Sequence, residues 1–385
     1  MSTGAAPAGR RPALPWSGRR LGTTGIVYLA LLGIVVLAAL LLASQGRNLL
    51  STANTVDMLT RSSLLGFVAV GQTLVILCRS LDLSVGYVAA LSSLVAATTM
   101  DGDPARVVPG VLAALGVSAA IGLVNGLVIT QLRVNAFIAT LGTGLVLKAY
   151  LDTRYQGPAG DVPSSFQLFG YMRIAVVPLS TAVMIAVAVL AGIVLHRSRL
   201  GYHMFAVGGN EEVARLSGVR TSPTVISAHV LCSVAAGGAG LLIAARFGTG
   251  SALVYASGYE LDSIAAVVLG GTLLLGGRGS VAGTVGGVLI LAVLDTVFNV
   301  MQVEPFFKDV LRGVIIITAV AIYARRQIDP TSSRARFRPG GRGTRTGRGG
   351  APPGDGSPGS STGSSTEQAL PKAVPAGSSR RDGER

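Results

Sequence analysis

The chain has 385 residues, half of them apolar and only 13% charged, with a mean hydropathy of +0.58 and a formal net charge of +14. A soluble chain of this length would split into two or three domains with roughly 25–35% charged residues on their surfaces, and this composition excludes that arrangement. Collagen-like, disulfide-scaffold and globally disordered classes are excluded as well.

The apolar residues come in blocks of about twenty, the length that crosses a hydrocarbon core of ~30 Å, which predicts an all-α, polytopic transmembrane helical bundle. Ten segments follow in chain order: 26–43, 59–78, 85–100, 107–130, 134–151, 174–196, 224–245, 261–276, 281–301 and 307–324. A basic tail, 1–25, carries Arg10, Arg11, Arg19 and Arg20 ahead of the first segment. That first run exceeds the roughly 7–15 apolar residues of a signal peptide and no small-x-small site follows it, so it reads as an uncleaved span. With the amino terminus inside, parity puts the Arg133 turn, the 197–223 loop, the Arg278 turn and the carboxyl tail in the cytoplasm. The loops at 44–58, 101–106, 152–173, 246–260 and 302–306 then fall outside. Arg197, Arg199, Arg215 and Arg220 in the 197–223 loop, against Arg154 and Arg173 in the 152–173 loop, agree with the cytoplasmic bias of basic residues. The membrane-spanning block thus runs from 26 to 324. Residues 325–385, built from Gly, Ser, Pro, Thr and Arg, have almost nothing apolar to offset ordering and are expected to be disordered. Their arginines suit anionic lipid better than nucleic acid.

Cys78 and Cys232 sit in or at the ends of apolar segments without CxxC spacing, so they read as buried thiols rather than as a disulfide or zinc ligands. No HExxH, no GxSxG and no metal-spaced cluster appears, and His196, His203 and His229 are scattered, so neither catalysis nor a metal site is indicated. None of the lysines, Lys148, Lys308 and Lys372, follows a glycine, so no Walker A loop can cradle ATP on this chain.

Three constellations stand out. In Gly208-Gly209-Asn210-Glu211-Glu212-Val213-Ala214-Arg215-Leu216-Ser217-Gly218, Asn210 can cap a short helix whose first turn holds Glu211 and Glu212 against the positive dipole end. Arg215 stands four after Glu211, and Gly218 can end the helix. About eight residues are marginal alone in water, so this helix must dock, with Val213 and Leu216 as a small apolar face. It reads either as a connector lying on its own domain or as a docking surface for a cytoplasmic partner. In the second constellation, Gly71-Gln72-Thr73 precedes Leu81-Asp82-Leu83-Ser84-Val85-Gly86. A carboxylate between apolar runs is costly unless paired or capping, and Asp82 or Ser84 can cap a helix from Val85. A capped turn and a direct part in gating or the pathway both fit. The third is glycine: Gly122/Gly126, Gly279/Gly283 and Gly283/Gly287 have GxxxG spacing, and Gly270-Gly271 and Gly276-Gly277 bracket a segment rich in small residues. Close helix packing uses such positions, and so do broken helices around a substrate path. Other polar groups at membrane depth are Gln72, Asn125, Thr140, Thr143, Asp295 and Asn299. They form no chain of acids, which disfavours an ion-driven carrier, although Asp295 and Asn299, one turn apart, could hold an ion or simply bond between helices.

Taken in order, the run from Gly71-Gln72-Thr73 through Leu81 to Gly86, then Asn125-Gly126, then Phe137-Ile138-Ala139-Thr140-Leu141-Gly142-Thr143, then Ala206 to Val219, then Tyr259 to Gly271 and Gly276-Gly277-Arg278-Gly279-Ser280, resembles the ribose-type sugar permeases of bacterial ATP-binding-cassette importers. The resemblance covers about residues 65–320. It implies a multi-pass permease in the cytoplasmic membrane that pairs with a second permease copy or homologue. It also implies a separate ATPase, carrying the ATP and Mg that this chain lacks, gripping Gly208, Gly209, Asn210, Glu211, Glu212, Ala214, Arg215, Leu216 and Gly218. An extracytoplasmic binding protein would deliver the solute, a sugar or in related branches a nucleoside or amino acid. Gln72, Asp82, Ser84, Asn125, Phe137, Thr140 and Thr143 would lie on the pathway or gate. Gly122, Gly126, Gly270, Gly271, Gly279, Gly283 and Gly287 would pack helices. The resemblance departs at Arg79-Ser80-Leu81, where the family usually has Gly-Gly-Ile, and at Asn135-Ala136, where prolines are frequent.

Overall fold

The computed structural model describes residues 22–304 and, beyond them, 306, 307, 310, 313, 314, 317 and 318. The basic tails, 1–21 and 325–385, and most of the tenth segment, 307–324, lie outside the described residues.

Among the residues 22–304, twelve α-helices follow one another: α1 (Thr23–Ala43), α2 (Thr52–Leu77), α3 (Val85–Met100), α4 (Val107–Gln131), α5 (Ala136–Arg154), α6 (Ser164–Tyr171), α7 (Leu179–Arg197), α8 (Arg199–Gly209), α9 (Glu211–Leu216), α10 (Thr221–Phe247), α11 (Tyr259–Leu269) and α12 (Val281–Val300). A two-residue hairpin, Arg173–Ile174 against Val177–Pro178, precedes α7. Their starts are written in local chemistry: Ser51, Asn135, Ser198, Asn210 and Ser280 each accept a backbone N–H of the first turn of the helix they precede. Among the described residues, seven stretches are long and apolar enough to cross a membrane: α1, α2, Pro104–Gln131, α7, α10, Ala252–Leu269 and α12. Helix α3 is apolar but short, and α5 does not reach that composition.

The first nine expected segments each coincide with a helix, with three revisions of detail. Segment 261–276 is helical only to Leu269; Gly270 closes the helix and Gly271 turns the chain at φ +85°. Segment 174–196 opens in the hairpin and becomes helical at Leu179. The 197–223 connection, expected as a loop with one short helix, holds two, because Ser198 caps α8 before Asn210 caps α9.

Helices α2, α3 and α10 form the centre. Most of α2 is buried, and α10 packs along α4, α2 and α3. Large apolar side chains face outward instead on α1 (Leu29, Leu32, Leu37), α4 (Val108, Leu112) and α7 (Val189, Leu190, Ile193), as lipid-facing helices require. The glycines let backbones touch. A Cβ on Gly122 would lie 2.6 Å from the carbonyl of His229, and one on Gly126 would lie 2.8 Å from Ile226 Cα, so α4 and α10 meet at van der Waals limit. Gly283 and Gly287 on α12 similarly abut the carbonyls of Gly270 and Ala266, while Gly279 and Gly271 face Thr272 and Thr23. Hydroxyls bond between helices where backbones are close: Ser63 to Thr181 (2.9 Å), Thr73 to Thr284 (2.8 Å) and Ser92 to the carbonyl of Gly237 (3.0 Å).

Candidate functional site

The α2–α3 turn carries the buried polar centre of the bundle. Asp82 and His229 have no exposed surface. A buried carboxylate needs donors, and three reach it: the N–H of Ser84 (2.9 Å), the Ser84 hydroxyl (2.6 Å) and His229 Nδ1 (3.3 Å). A proton on Nδ1 leaves Nε2 to accept the hydroxyl of Ser80 at 2.8 Å. Ser84 Oγ in turn accepts from Asn125 Nδ2 (3.0 Å), and Asn125 Oδ1 accepts from Thr143 (2.7 Å). Thr140 Oγ1 accepts the N–H of Leu83 (3.1 Å). The amide of Gln72, oriented so that each end meets its complement, accepts from the Asp82 N–H (3.3 Å) and donates to the Asp82 carbonyl (3.2 Å). One hydrogen-bonded network therefore joins α2, the α2–α3 turn, α4, α5 and α10.

Six of the seven residues assigned to a pathway or gate, Gln72, Asp82, Ser84, Asn125, Thr140 and Thr143, meet in this network. Phe137 does not; it is exposed near the start of α5, where its N–H bonds to Asn135 Oδ1 (2.9 Å). The capping expectation is corrected: Ser84 occupies the residue before α3, yet neither its side chain nor that of Asp82 caps the helix, because the Ser84 hydroxyl is turned into the Asp82 carboxylate. Sequence reasoning missed His229 and Ser80. The available signal was an isolated histidine inside the apolar run of α10, which at membrane depth needs a partner such as the lone buried carboxylate of the α2–α3 turn.

At the same end of the bundle, the end of α8, just before α9, meets the end of α2. A Cβ on Gly208 would overlap the carbonyl of Leu77, and that carbonyl accepts the N–H of Gly277 (3.0 Å). A Cβ on Gly277 would stand 2.8 Å from Gly209 Cα. Three chain segments are thus in backbone contact. Asn210 Oδ1 accepts from the N–H of Val213 (3.1 Å), capping α9, and Gly218 at φ +84° follows its end. Arg215 pairs with Glu212 through both carboxylate oxygens (2.8 and 2.6 Å), three residues back, rather than with Glu211. Ala214 is buried and anchors the helix, whereas Val213 and Leu216 are 57% and 78% exposed. The two apolar side chains point away from their own bundle.

The sequence profile of the family described as "Branched-chain amino acid transport system / permease component" matches residues 54–320. The chain belongs to this permease family. It is 36% identical over 318 residues to the ribose import permease protein RbsC of Escherichia coli K12, covering 81% of this chain and 98% of that protein. It is 34% identical to the ribose import permease protein RbsC of Bacillus subtilis 168, covering 77% of this chain and 91% of that one. With the galactose/methyl galactoside import permease protein MglC of Haemophilus influenzae it shares 33% identity over 78% of this chain and 94% of the relative. No solved structure matches the chain. Family and apolar helices together make this a multi-pass protein of the cell membrane.

Proposed function

We propose that the chain is the membrane-spanning subunit of an ATP-binding-cassette importer for a monosaccharide, driven by a separate cytoplasmic ATPase that docks on α9. The carrying observation is the capped short helix with Val213 and Leu216 exposed, braced at Gly208 on the end of α2. An apolar pair facing water next to an internal backbone contact is what a pushing subunit can grip. A sugar is preferred over an amino acid because the relatives at 33–36% identity are named for ribose and galactose.

In this reading the chain crosses the membrane ten times with both termini in the cytoplasm, and a second permease completes the passage. A binding protein delivers the solute outside, and ATP with Mg stays on the ATPase. The network around Asp82 serves as the gate's lock: it ties the α2–α3 turn to α4, α5 and α10, and a push on α9 reaches it through Leu77. The solute moves without covalent change.

Two measurements test this. Val213→Asp and Leu216→Asp should leave the thermal midpoint of the purified chain unchanged while abolishing co-purification with the importer's ATPase subunit and uptake of radiolabelled sugar; retained ATPase binding defeats the docking assignment. Leu216→Cys, against two buried native cysteines, should be labelled by a membrane-impermeant maleimide only after the cells are opened. Labelling in intact cells would reverse the orientation.

A further inference from the structure

Beneath α9 lies a polar cavity of about 770 Å³, within the roughly 300–1,000 Å³ of small-molecule pockets. Its wall includes Arg79 from the end of α2, Arg133 from the α4–α5 turn and Arg215 from α9. Among the described residues, Arg79 and Arg133 make no ion pair. Glu212 holds Arg215 with both oxygens, and Glu211 is the other acid that lines the cavity. Both arginines stand in left-handed backbone conformations, φ +60° at Arg79 and +55° at Arg133, which cost a non-glycine residue. Independently, Thr221 lines the cavity and is nine-tenths buried, yet its hydroxyl has no hydrogen-bond partner among the described residues. It opens the 27-residue helix α10, whose amino end carries no side-chain cap. Unpaired guanidinium groups beside an unused hydroxyl donor suit one ligand chemistry, a phosphate ester, which takes planar bidentate contacts from arginine and further bonds from neutral donors.

We infer that this cavity is a binding site for a phosphate-bearing ligand. Occupied, it ties α9 to the end of α2, to the α4–α5 turn and to the start of α10. It also sits over Ser80, which lines the cavity and bonds to His229, so the ligand reaches the buried network as well. A ligand there would brace the docking helix and slow transport. The assignment uses the proposed function only for the side of the membrane and for that effect; the binding itself does not depend on it.

The test uses the full chain in phosphatidylcholine nanodiscs, with ribose 5-phosphate as probe and ribose at matched ionic strength as control. The thermal midpoint should rise saturably with ribose 5-phosphate and not with ribose. Arg79→Gly/Arg133→Gly should weaken that apparent Kd at least tenfold, while its midpoint without ligand stays equal or rises because glycine accepts both backbone conformations. Repeating the titration in phosphatidylglycerol nanodiscs separates the sources. A raised baseline that removes the response to ribose 5-phosphate, and is itself lost in the double variant, assigns the site to a lipid headgroup; an unchanged response assigns it to a soluble ester. Either result supports phosphate binding. An unaltered Kd in the double variant, an equal response to ribose, or no saturable response in either lipid overturns it. So does a double variant that loses only ATPase association, which would make the arginines part of a protein interface. The Leu216→Cys labelling reports the orientation separately, so an error in sidedness leaves the binding result standing.

Discussion

The Asp82 carboxylate is surrounded by donors that are themselves held: His229 by Ser80, Ser84 by Asn125, and Asn125 by Thr143. Leaving a buried carboxylate short of a donor costs more than orphaning a neutral buried group, which costs about 1–3 kcal/mol. The thermal midpoint in detergent should therefore fall furthest for His229→Ala, less for Asn125→Leu, and least for Thr143→Val, which is only partly buried. A ranking in which Thr143→Val falls as far as His229→Ala would show that the network is not centred on Asp82. Much of this centre was legible in the sequence, because Gln72, Asp82, Asn125, Thr140 and Thr143 are polar groups set in apolar runs. The direction of the Ser84 hydroxyl was not, since a serine before a helix can cap it or turn inward, and only the buried carboxylate two residues earlier decides between them. His229 escaped notice because its partner lies 147 residues away, a separation on which periodicity is silent.

At the scale of elements, Gly208 and Gly209 are neighbours in sequence and opposites in space. A Cβ on Gly208 has nowhere to go, whereas one on Gly209 meets nothing within 4 Å. Overpacking of a close contact costs about 1–3 kcal/mol. Gly208→Ala should thus lower the thermal midpoint and stop sugar uptake in cells carrying the whole importer, and Gly209→Ala should do neither; equal behaviour of the two variants would sink the assignment of the Leu77 contact as the coupling joint. The existence of α9 was readable from Asn210, the glutamates and Gly218, because capping is a local code. Its pairing was less so: Glu211 and Glu212 are both within one turn of Arg215, and the choice of Glu212 depends on how the exposed side chains lie. The end of α11 at Leu269 was obscured for another reason. Leu273-Leu274-Leu275 continues the apolar run past Gly270-Gly271, and hydropathy registers composition, not the turn that glycine permits.

Over the described residues, the order of the first nine apolar blocks could be read directly from hydropathy. Which of them are central could not, since α2 and α1 are both apolar while α2 is largely buried and α1 largely exposed. The distinguishing feature is the hydroxyls and glycines of α2, α3 and α10, which make close interhelical contacts. Gly122→Val and Gly126→Val should force α4 off α10 and lower both the thermal midpoint and the yield of folded protein; the same change at Gly116, which has nothing within 4 Å, should be silent. Purified protein followed by size-exclusion chromatography reads both. Helix α10 itself runs 27 residues, or ~40 Å at the helical rise, from Thr221 near α9 to Phe247. At its far end the Arg246 guanidinium reaches Asp57 (3.3 Å) and the Arg246 carbonyl accepts the Tyr171 hydroxyl. Such a rod can act as a lever: a tilt of a few degrees swings one end relative to the other by roughly 2–3 Å, enough to loosen the contacts of Arg246 with Asp57 and Tyr171 without any helix having to melt.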